Sequence, residues 1–384
     1  MSLFARLVDV PPADVPRLEQ HVAAARIDLA IVGPDELVAA GIGDALRRAG
    51  IASVGPSREA GRIEWSKAFA KEVMDEAGVP TARWAAYPDA SAAAAALDER
   101  DGPVVVKADG LAAGKGVVVA RDRDEARAAL LSATIAKGAV VLEEALEGEE
   151  ASLHALVDGE TVVALPAARD HKRVGDGDTG PNTGGMGCCS PTRILPDDEA
   201  QDAANALIAP VARVLAKRGT PYRGIVFAGL IRTREGWKVL EYNARFGDPE
   251  AEVLLPRLEG DFARLMLALG EGRLAQHVAE SPVRWSARAY VSVALCAEGY
   301  PGKVESGAPI EGLDDLPQGA WAFHAATKRV GTRYVANGGR VMHIVAGGDG
   351  VAEARRLAYE AAARVSWQGR FYRSDIAARE VEVA

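Results

Sequence analysis

The segment Val104–Val119 reads VVVKADGLAAGKGVVV and carries the strongest fold signal in the sequence. Two β-branched runs flank a loop rich in glycine with two lysines, Lys107 and Lys115, which predicts two strands joined by a phosphate-binding loop. Glycines let backbone N–H groups approach a phosphate, and lysine supplies a compact positive charge. The loop is not a Walker A motif, because Gly116 stands where that motif has Ser or Thr. On this segment alone, an ordinary hairpin with solvated lysines is an equal alternative.

A second informative stretch, Leu240–Glu250, reads LEYNARFGDPE. Glu241 and Asn243 lie two apart on a predicted strand, so their side chains share one face. A carboxylate and an amide oxygen are hard ligands suited to Mg²⁺, and Arg245 could hold an anionic group on the same face. A solvated strand face is the alternative, but the apolar runs on both sides predict a central strand.

Between these two stretches, Val141–Glu150 reads VLEEALEGEE. A carboxylate at the end of a buried strand can bind a ribose hydroxyl pair, while neighbouring backbone groups contact an adenine edge. Taken alone, a solvated acidic edge is the better interpretation of this run.

The N-terminal region alternates short apolar runs with helical stretches, which indicates a parallel sheet. Strands are predicted at Ile27–Val32 and Ile51–Val54, and one helix over Asp35–Ala49 between them. Asp14 is the predicted N-cap of a preceding helix. The first domain boundary is expected near residue 60.

Further along the chain, short strands and helices follow an α+β pattern. One helix is predicted over Asp197–Lys217, and residues 166–190 show no periodic signal although they are rich in Gly, Asp, Thr and Asn. Long segments of this kind inside a compact protein are usually functional or disordered.

Composition excludes several classes of protein. The 384 residues carry 45 basic and 54 acidic side chains, a net charge of −9, which argues against a nucleic-acid or anionic-membrane partner. No apolar run approaches the ~20 residues that span a bilayer. The three cysteines, Cys188, Cys189 and Cys296, form no CxxC pair, so we expect a reduced, cytoplasmic protein without a secretion signal.

Taken together, the motifs resemble those of the ATP-grasp ligases, and within them the phosphoribosylamine–glycine ligase family. The resemblance runs from about Asp28 to the end of the chain. The matching segments are SKAFAK at Ser66–Lys71, VKADGLAAGKGV at Val106–Val117, LEGEEAS at Leu146–Ser152, DHKRVGDGDTGPNTGGMG at Asp170–Gly187, EYNARFGDPE at Glu241–Glu250, YPGKVESG at Tyr300–Gly307 and NGGRV at Asn337–Val341. The segment from Asp170 discriminates, because other ATP-grasp ligases share the lysines and the ExN pair but not this segment.

The resemblance implies a multidomain α/β and α+β architecture. It comprises a truncated N-terminal parallel α/β unit over residues 1–60, a two-lobed ATP-grasp core over 61–270 with its smaller lobe at about 81–148, and a small C-terminal α+β domain over 281–384. The implied activity is ATP-dependent joining of glycine to 5-phosphoribosylamine through a glycyl phosphate, in purine biosynthesis. ATP with Mg²⁺ or Mn²⁺ is implied, and we expect a monomer with small-molecule substrates.

The resemblance also assigns roles to individual residues. Glu241 and Asn243 are the implied metal ligands, and Asp170, Arg245 and Asp248 are the implied catalytic residues that orient glycine and the acyl phosphate. The implied nucleotide contacts are Lys67, Lys107, Gly114, Lys115, Gly116, Glu143, Glu144, Ala145, Leu146 and Glu149.

Some features depart from the family pattern. The family opens with a strand and a GxGGREHA loop that this sequence lacks, so we expect the phosphoribosylamine site to be affected more than the ATP site. Cys188–Cys189 also replaces an Ala–Tyr-like pair. Two alternatives therefore stay open: an ATP-grasp ligase with a different amine substrate, and a partner-dependent or inactive ATP-binding homologue.

Overall fold

The computed structural model describes residues 5–11, 14–100, 102–111, 116–132 and 135–381. Its N-terminal part confirms the predicted parallel pairing, with Leu29–Ile31 lying beside Ala52–Val54. The carboxylate of Asp14 accepts from the backbone of Arg17 and caps the first helix, as predicted. The elements of this part are α1 (Val15–Ala24), β1 (Leu29–Ile31), α2 (Asp35–Ala39), α3 (Ile42–Arg48) and β2 (Ala52–Val54).

The single helix predicted over Asp35–Ala49 is wrong, because the chain breaks it into α2 and α3. Gly41 lies at the break with φ of +82°, a left-handed conformation that glycine adopts without a steric penalty. Residues 62–77 likewise form two helices, α4 (Arg62–Trp65) and α5 (Lys67–Ala77), and the side chain of Ser66 caps the second.

A four-stranded antiparallel sheet forms the smaller lobe, in the order β3–β6–β4–β5. Two helices with fully buried Leu97 and Leu130 cover one of its faces. The strands and helices are β3 (Trp84–Tyr87), α6 (Ala90–Leu97), β4 (Val104–Ala108), β5 (Val117–Ala120), α7 (Arg123–Leu130) and β6 (Val140–Glu144). The predicted hairpin of Val104–Val119 therefore exists as β4 and β5, with Val105 paired to Val119.

A second antiparallel sheet has the order β14–β13–β7–β8. Its strands are β7 (Glu149–Asp158), β8 (Thr161–Ala164), β13 (Arg223–Thr233) and β14 (Gly236–Asn243). The prediction that the strand carrying Glu241 is central is wrong, since β14 lies at the sheet edge. A single bridge from Thr81 to Val239 and the packing of α4 and α5 cover that edge, which explains its apolar flanks.

The segment without periodic signal, 166–190, forms four short strands. Two of them, β9 (Arg169–Asp170) and β12 (Gly187–Ser190), join a sheet of the C-terminal part. Its order is β18 (Ala320–His324), β21 (Arg340–Gly348), β17 (Ala289–Ala297), β12 and β9, and β22 (Arg370–Phe371) also pairs with β17. The other two, β10 (Arg173–Gly175) and β11 (Thr179–Asn182), form a separate hairpin. The segment after Asp170 is thus continuous with the C-terminal sheet.

The remaining elements surround these sheets. The single helix predicted over Asp197–Lys217 is also wrong: a break at Ile208, just before Pro210, divides it. The helices are α8 (Ala200–Leu207), α9 (Ala209–Lys217), α10 (Glu250–Leu254), α11 (Phe262–Gly270), α12 (Leu274–Glu280), α13 (Val351–Arg364) and α14 (Ala378–Val381), with 3₁₀ turns at Leu255–Arg257 and Leu313–Asp315. The strands are β15 (Leu258–Glu259), β16 (Arg284–Trp285), β17 (Ala289–Ala297), β18 (Ala320–His324), β19 (Thr327–Val330), β20 (Arg333–Ala336), β21 (Arg340–Gly348) and β22 (Arg370–Phe371).

Among the described residues, we find no helix with both the length and the apolar character needed to cross a bilayer.

Candidate active site

A cavity of about 490 Å³ lies between the sheet of the smaller lobe and the sheet that carries β14. Every predicted site residue that the structure describes lines it. They are Lys67, Lys107, Gly116, Glu143, Glu144, Ala145, Leu146, Glu149, Asp170, Glu241, Asn243, Arg245 and Asp248. Gly114 and Lys115 lie outside the described residues.

A buried ion-pair cluster forms one wall of the cavity. The Glu143 carboxylate lies 3.1 Å from Lys71 Nζ and 2.9 Å from Lys107 Nζ, and the three side chains are at most 6% exposed. Lys107 also donates to the carbonyl of Leu240 at 3.0 Å, so the cluster connects the two sheets. Burial and the neighbouring charge of Lys107 lower the pKa of Lys71 to about 8.

Lys71 was missed by the sequence analysis, which took only Lys67 from SKAFAK. The two lysines lie four residues apart on α5 and therefore on one helix face. Lys67 Nζ donates to the carbonyl of Gly110 at 3.2 Å, and the backbone N–H of Ala68 donates to Asp109 at 3.3 Å. The start of α5 is thereby attached to the glycine-rich loop.

The carboxylates predicted to bind adenosine already have protein partners. Glu144 accepts from the backbone of Arg83 at 2.9 Å and from its Nε at 2.7 Å. Burial raises the pKa of Glu144, but these hydrogen bonds outweigh it and the net shift is downward. Glu149 forms ion pairs with Arg193 at 2.8 Å and with Arg169 at 3.4 Å. Both carboxylates therefore line the cavity in fixed positions.

Glu241 and Asn243 project from the same face of β14 into the cavity, as their spacing predicts. Burial opposes ionisation of Glu241, but the charges of Lys172, Lys107 and Lys67 outweigh burial and hold its pKa below the usual value. The site thus combines an ionised carboxylate, an amide oxygen and several cations. That donor set suits a divalent metal together with phosphate oxygens.

At the opposite wall lie two carboxyl groups whose charges interact, the half-buried Asp170 and the buried Glu250. Burial, and then the charge of Glu250, raises the pKa of Asp170 well above its usual value. Asp170 Oδ1 is buried without a hydrogen-bond partner among the described residues. Burial also raises the pKa of Glu250, although Ser152 Oγ donates to it at 2.8 Å.

Glu250 was not among the predicted site residues, although it ends the quoted stretch. Glu64 was missed as well. Its carboxylate accepts from the backbone of Ala244 at 2.9 Å and pairs with Arg245 at 3.2 Å, so it orients a predicted catalytic residue. Nothing in the local sequence around Glu64 marks it, because its partners lie about 180 residues away.

Gly185, in the segment Asp170–Gly187, packs closely against the side chain of Asp170. Gly185 has φ of +112°, and a Cβ there would lie 2.7 Å from Asp170 Oδ1. Only glycine fits both the backbone conformation and this approach. Lys172, from the same segment, pairs with Glu150 at 2.9 Å, and the charge of Glu150 raises its pKa.

Family models match the chain in three consecutive parts. Residues 1–64 match the phosphoribosylglycinamide synthetase N domain, 65–251 its ATP-grasp (A) domain and 290–379 its C domain.

Phosphoribosylamine–glycine ligases from several bacteria match nearly the whole chain. The phosphoribosylamine–glycine ligase of Rhizobium meliloti is 46% identical over 92% of this chain and 84% of its own. That of Brucella melitensis is 44% identical over 100% of this chain and 90% of its own.

Solved structures of the same family and fold are also similar to this chain. The crystal structure of phosphoribosylamine–glycine ligase from Thermotoga maritima is 36% identical, with a TM-score of 0.76 over 84% of this chain and 81% of that one. The biotin carboxylase domain of Hydrogenobacter thermophilus 2-oxoglutarate carboxylase, 18% identical with a TM-score of 0.72, covers 95% of this chain and 81% of its own and shares the fold. This chain belongs to the phosphoribosylamine–glycine ligase family of ATP-grasp enzymes.

Proposed function

We propose that the protein joins glycine to 5-phosphoribosylamine, with conversion of ATP to ADP and phosphate. The proposal rests on one observation. A single cavity is lined by Lys67 and Lys107, by the Glu241–Asn243 pair and by the carboxyl groups of Asp170 and Glu250. Family membership supports the same reaction.

In the proposed reaction, a glycine carboxylate oxygen attacks the γ-phosphorus of ATP, and ADP leaves. The amine of phosphoribosylamine then attacks the carbonyl carbon of the glycyl phosphate, phosphate leaves, and the nitrogen loses a proton as the amide forms. No nucleophile from the protein is needed, so catalysis consists of positioning and charge stabilisation.

Lys67 and Lys107 would contact the nucleotide phosphates, together with the Gly114–Gly116 loop, of which only Gly116 is described. Lys107 lines the cavity, and its contacts with Glu143 and the carbonyl of Leu240 hold its ammonium there. Glu144, Ala145, Leu146 and Glu149 line the region assigned to adenosine.

Glu241 and Asn243 would hold the divalent metal, Mg²⁺ or Mn²⁺. When bound, such an ion neutralises phosphate charge during transfer. The lowered pKa of Glu241 supports this assignment, since the ligand carboxylate must be ionised.

Asp170 and Arg245 would orient glycine and the acyl phosphate, with Asp248 at the edge of the cavity. Asp170 lines the cavity, and its carboxyl group would bind the glycine ammonium. Arg245, held by Glu64, can neutralise a carboxylate or phosphate.

The test is release of ADP and phosphate by the purified protein with ATP, glycine and freshly generated 5-phosphoribosylamine. We expect turnover to require all three substrates and a divalent metal, and mass spectrometry to detect glycinamide ribonucleotide. Parallel reactions with Mg²⁺ or Mn²⁺ after chelation identify the preferred ion. Turnover that ignores phosphoribosylamine, or that prefers a different amine, would contradict the proposal. A monomeric state and a cytoplasmic location remain predictions, which size-exclusion chromatography and cell fractionation can check.

A further inference from the structure

Arg340, the first residue of β21 in the C-terminal part, reaches the loops beside Asp170. Its Nη1 lies 2.7 Å from the carbonyl oxygen of Gly184, 3.4 Å from that of Gly185 and 3.0 Å from that of Asp248. The same atom lies 3.2 Å from the Asp248 carboxylate. One guanidinium therefore connects two loops that are more than 60 residues apart in the chain.

The loop at Gly184 is shaped to receive this side chain. A Cβ at Gly184 would lie 3.1 Å from the guanidinium carbon of Arg340, so a larger residue would push the arginine away. The backbone N–H of Gly184 donates to the hydroxyl of Tyr300 at 3.1 Å. In the C-terminal part, Arg340 thus binds the carbonyl of Gly184 and Tyr300 binds its N–H.

The two loops held by Arg340 determine where the reactive side chains lie. Gly185 packs against both Asp170 Oδ1 and Pro249, and Pro249 directly precedes Glu250. A shift of either loop would therefore move the Asp170–Glu250 pair. The positive charge of Arg340 also acts on Asp170, where it opposes the effect of burial on the pKa.

A second contact reinforces the same junction. His343 on β21 lies 2.7 Å from a Glu252 oxygen, and Ser292 Oγ donates to that oxygen at 2.8 Å. Glu252 belongs to α10, which follows the Asp248 loop. Asp248, Glu252 and His343 are close enough to suggest a metal site. However, Arg340, His343 and Ser292 already satisfy the carboxylates, so the group is better explained as a hydrogen-bonded junction.

We propose that Arg340 is a positioning residue for the ligase reaction, through which the C-terminal part fixes the loops that orient the acceptor substrates. The role rests on the proposed function, since Arg340 acts by way of Asp170, Glu250 and Asp248. It requires the length of the arginine side chain, because Nη1 makes all of these contacts and lies one bond farther from the backbone than a lysine Nζ would. A lysine ammonium would keep the charge near Asp248 but fall short of the carbonyls.

The experiment compares Arg340→Met and Arg340→Lys with Arg364→Met. Arg364 is a matched control, since it donates to the carbonyl of Asp315 and to Glu360, both at 2.7 Å and both within the C-terminal part. We expect Arg340→Met to lower kcat/KM for glycine by roughly 100-fold, a size typical of a reacting group displaced by about 1 Å. KM for ATP should stay within about twofold, and Arg340→Lys should recover only a minor part of the loss.

Amide hydrogen exchange of the substrate-free protein gives an independent readout. Residues 184–187 should exchange faster in Arg340→Met than in the wild type or in Arg364→Met. Normal exchange there, full rescue by lysine, or equal kinetics of the two methionine variants would overturn the proposal. If Arg340→Met does not fold, the lysine variant carries the same comparison. A wild type without ligase activity would instead overturn the proposed function, and the exchange result would still decide whether Arg340 fixes the loop.

Discussion

The two walls of the cavity hold buried carboxylates in different ways. On the nucleotide side, Glu143 lies between Lys71 and Lys107 at 3.1 and 2.9 Å. On the acceptor side, Asp170 and Glu250 lie near each other, burial raises the pKa of each, and Asp170 Oδ1 lacks a protein partner. In the first arrangement opposite charges are paired, whereas in the second two carboxyl groups of the same charge type lie together. The difference teaches that one wall stabilises its charges through protein ion pairs, whereas the other keeps two carboxyl groups together at a cost in stability.

The largest expected effect concerns the paired wall. Glu143→Gln leaves two buried ammonium groups without a countercharge, so we expect a loss of about 3–5 kcal/mol in the free energy of unfolding. Urea denaturation measures it. The control is Glu125→Gln in the same lobe, where the pair with Arg121 is exposed to solvent and should contribute little. Equal midpoints for both variants would show that the buried cluster is not structural.

The next effect tests the metal ligand on β14. Glu241→Ala should lower kcat by ~10²–10³-fold, because it removes a group that positions charge in the transition state. The melting curve should hardly change. Glu235→Ala is the control, since Glu235 lies in the turn before β14 and is exposed. Unaltered ADP release in Glu241→Ala would remove Glu241 from the proposed site.

A smaller effect, on substrate affinity, tests the unpaired wall. Asp170→Asn should raise KM for glycine roughly 10- to 100-fold, the range for one hydrogen bond to a charged group. KM for ATP should stay unchanged in this variant.

The same variant also carries a pH prediction for stability. Because the folded pKa of Asp170 is raised, the folded protein keeps a proton that the unfolded chain releases as pH rises past the usual value. The carboxyl therefore lowers the free energy of unfolding progressively with rising pH, and Asp170→Asn should gain stability relative to the wild type over that range. Urea titrations from pH 4 to pH 8 measure the difference. If the stability gained by Asp170→Asn shrinks with rising pH, the folded pKa of Asp170 is not raised as described.

The smallest effect concerns Cys188 and Cys189, which lie fully buried on β12, a strand of the C-terminal sheet. Burial raises the pKa of both thiols, so neither should react with iodoacetamide in the folded protein at pH 8. The double variant Cys188→Ala, Cys189→Ala should keep ligase activity within about twofold in the presence of reductant. Rapid alkylation, or loss of activity in a folded variant, would show that these thiols are reactive or functional.

Much of the cavity could be predicted from the sequence because its chemistry is local. The β4–β5 hairpin and the two-residue spacing of Glu241 and Asn243 follow from chain neighbours, and the structure places both as expected. Breaks within helices were harder to predict from the sequence. Gly41 interrupts an apparently continuous helix because its backbone is left-handed, which residue type permits but does not require.

The residues that sequence reasoning missed are those whose partners are distant in the chain. Lys71 pairs with Glu143, Glu250 accepts from Ser152, and Arg340 contacts two loops from another part of the molecule. The edge position of β14 was missed for the same reason. Apolar flanks indicate that a strand is covered, but they do not say whether another strand or a helix covers it.

The strand pairing of β12 with β17 has a consequence for synthesis of the protein on the ribosome. Gly187 pairs with Val293, so one side of a buried mid-chain strand has no partner until more than 100 further residues have been made. During that interval β12 presents an open edge and two cysteines, Cys188 and Cys189, to the surroundings of the nascent chain. A nascent chain that ends near residue 281 would carry β12 with this edge still open, so we expect it to be prone to aggregation.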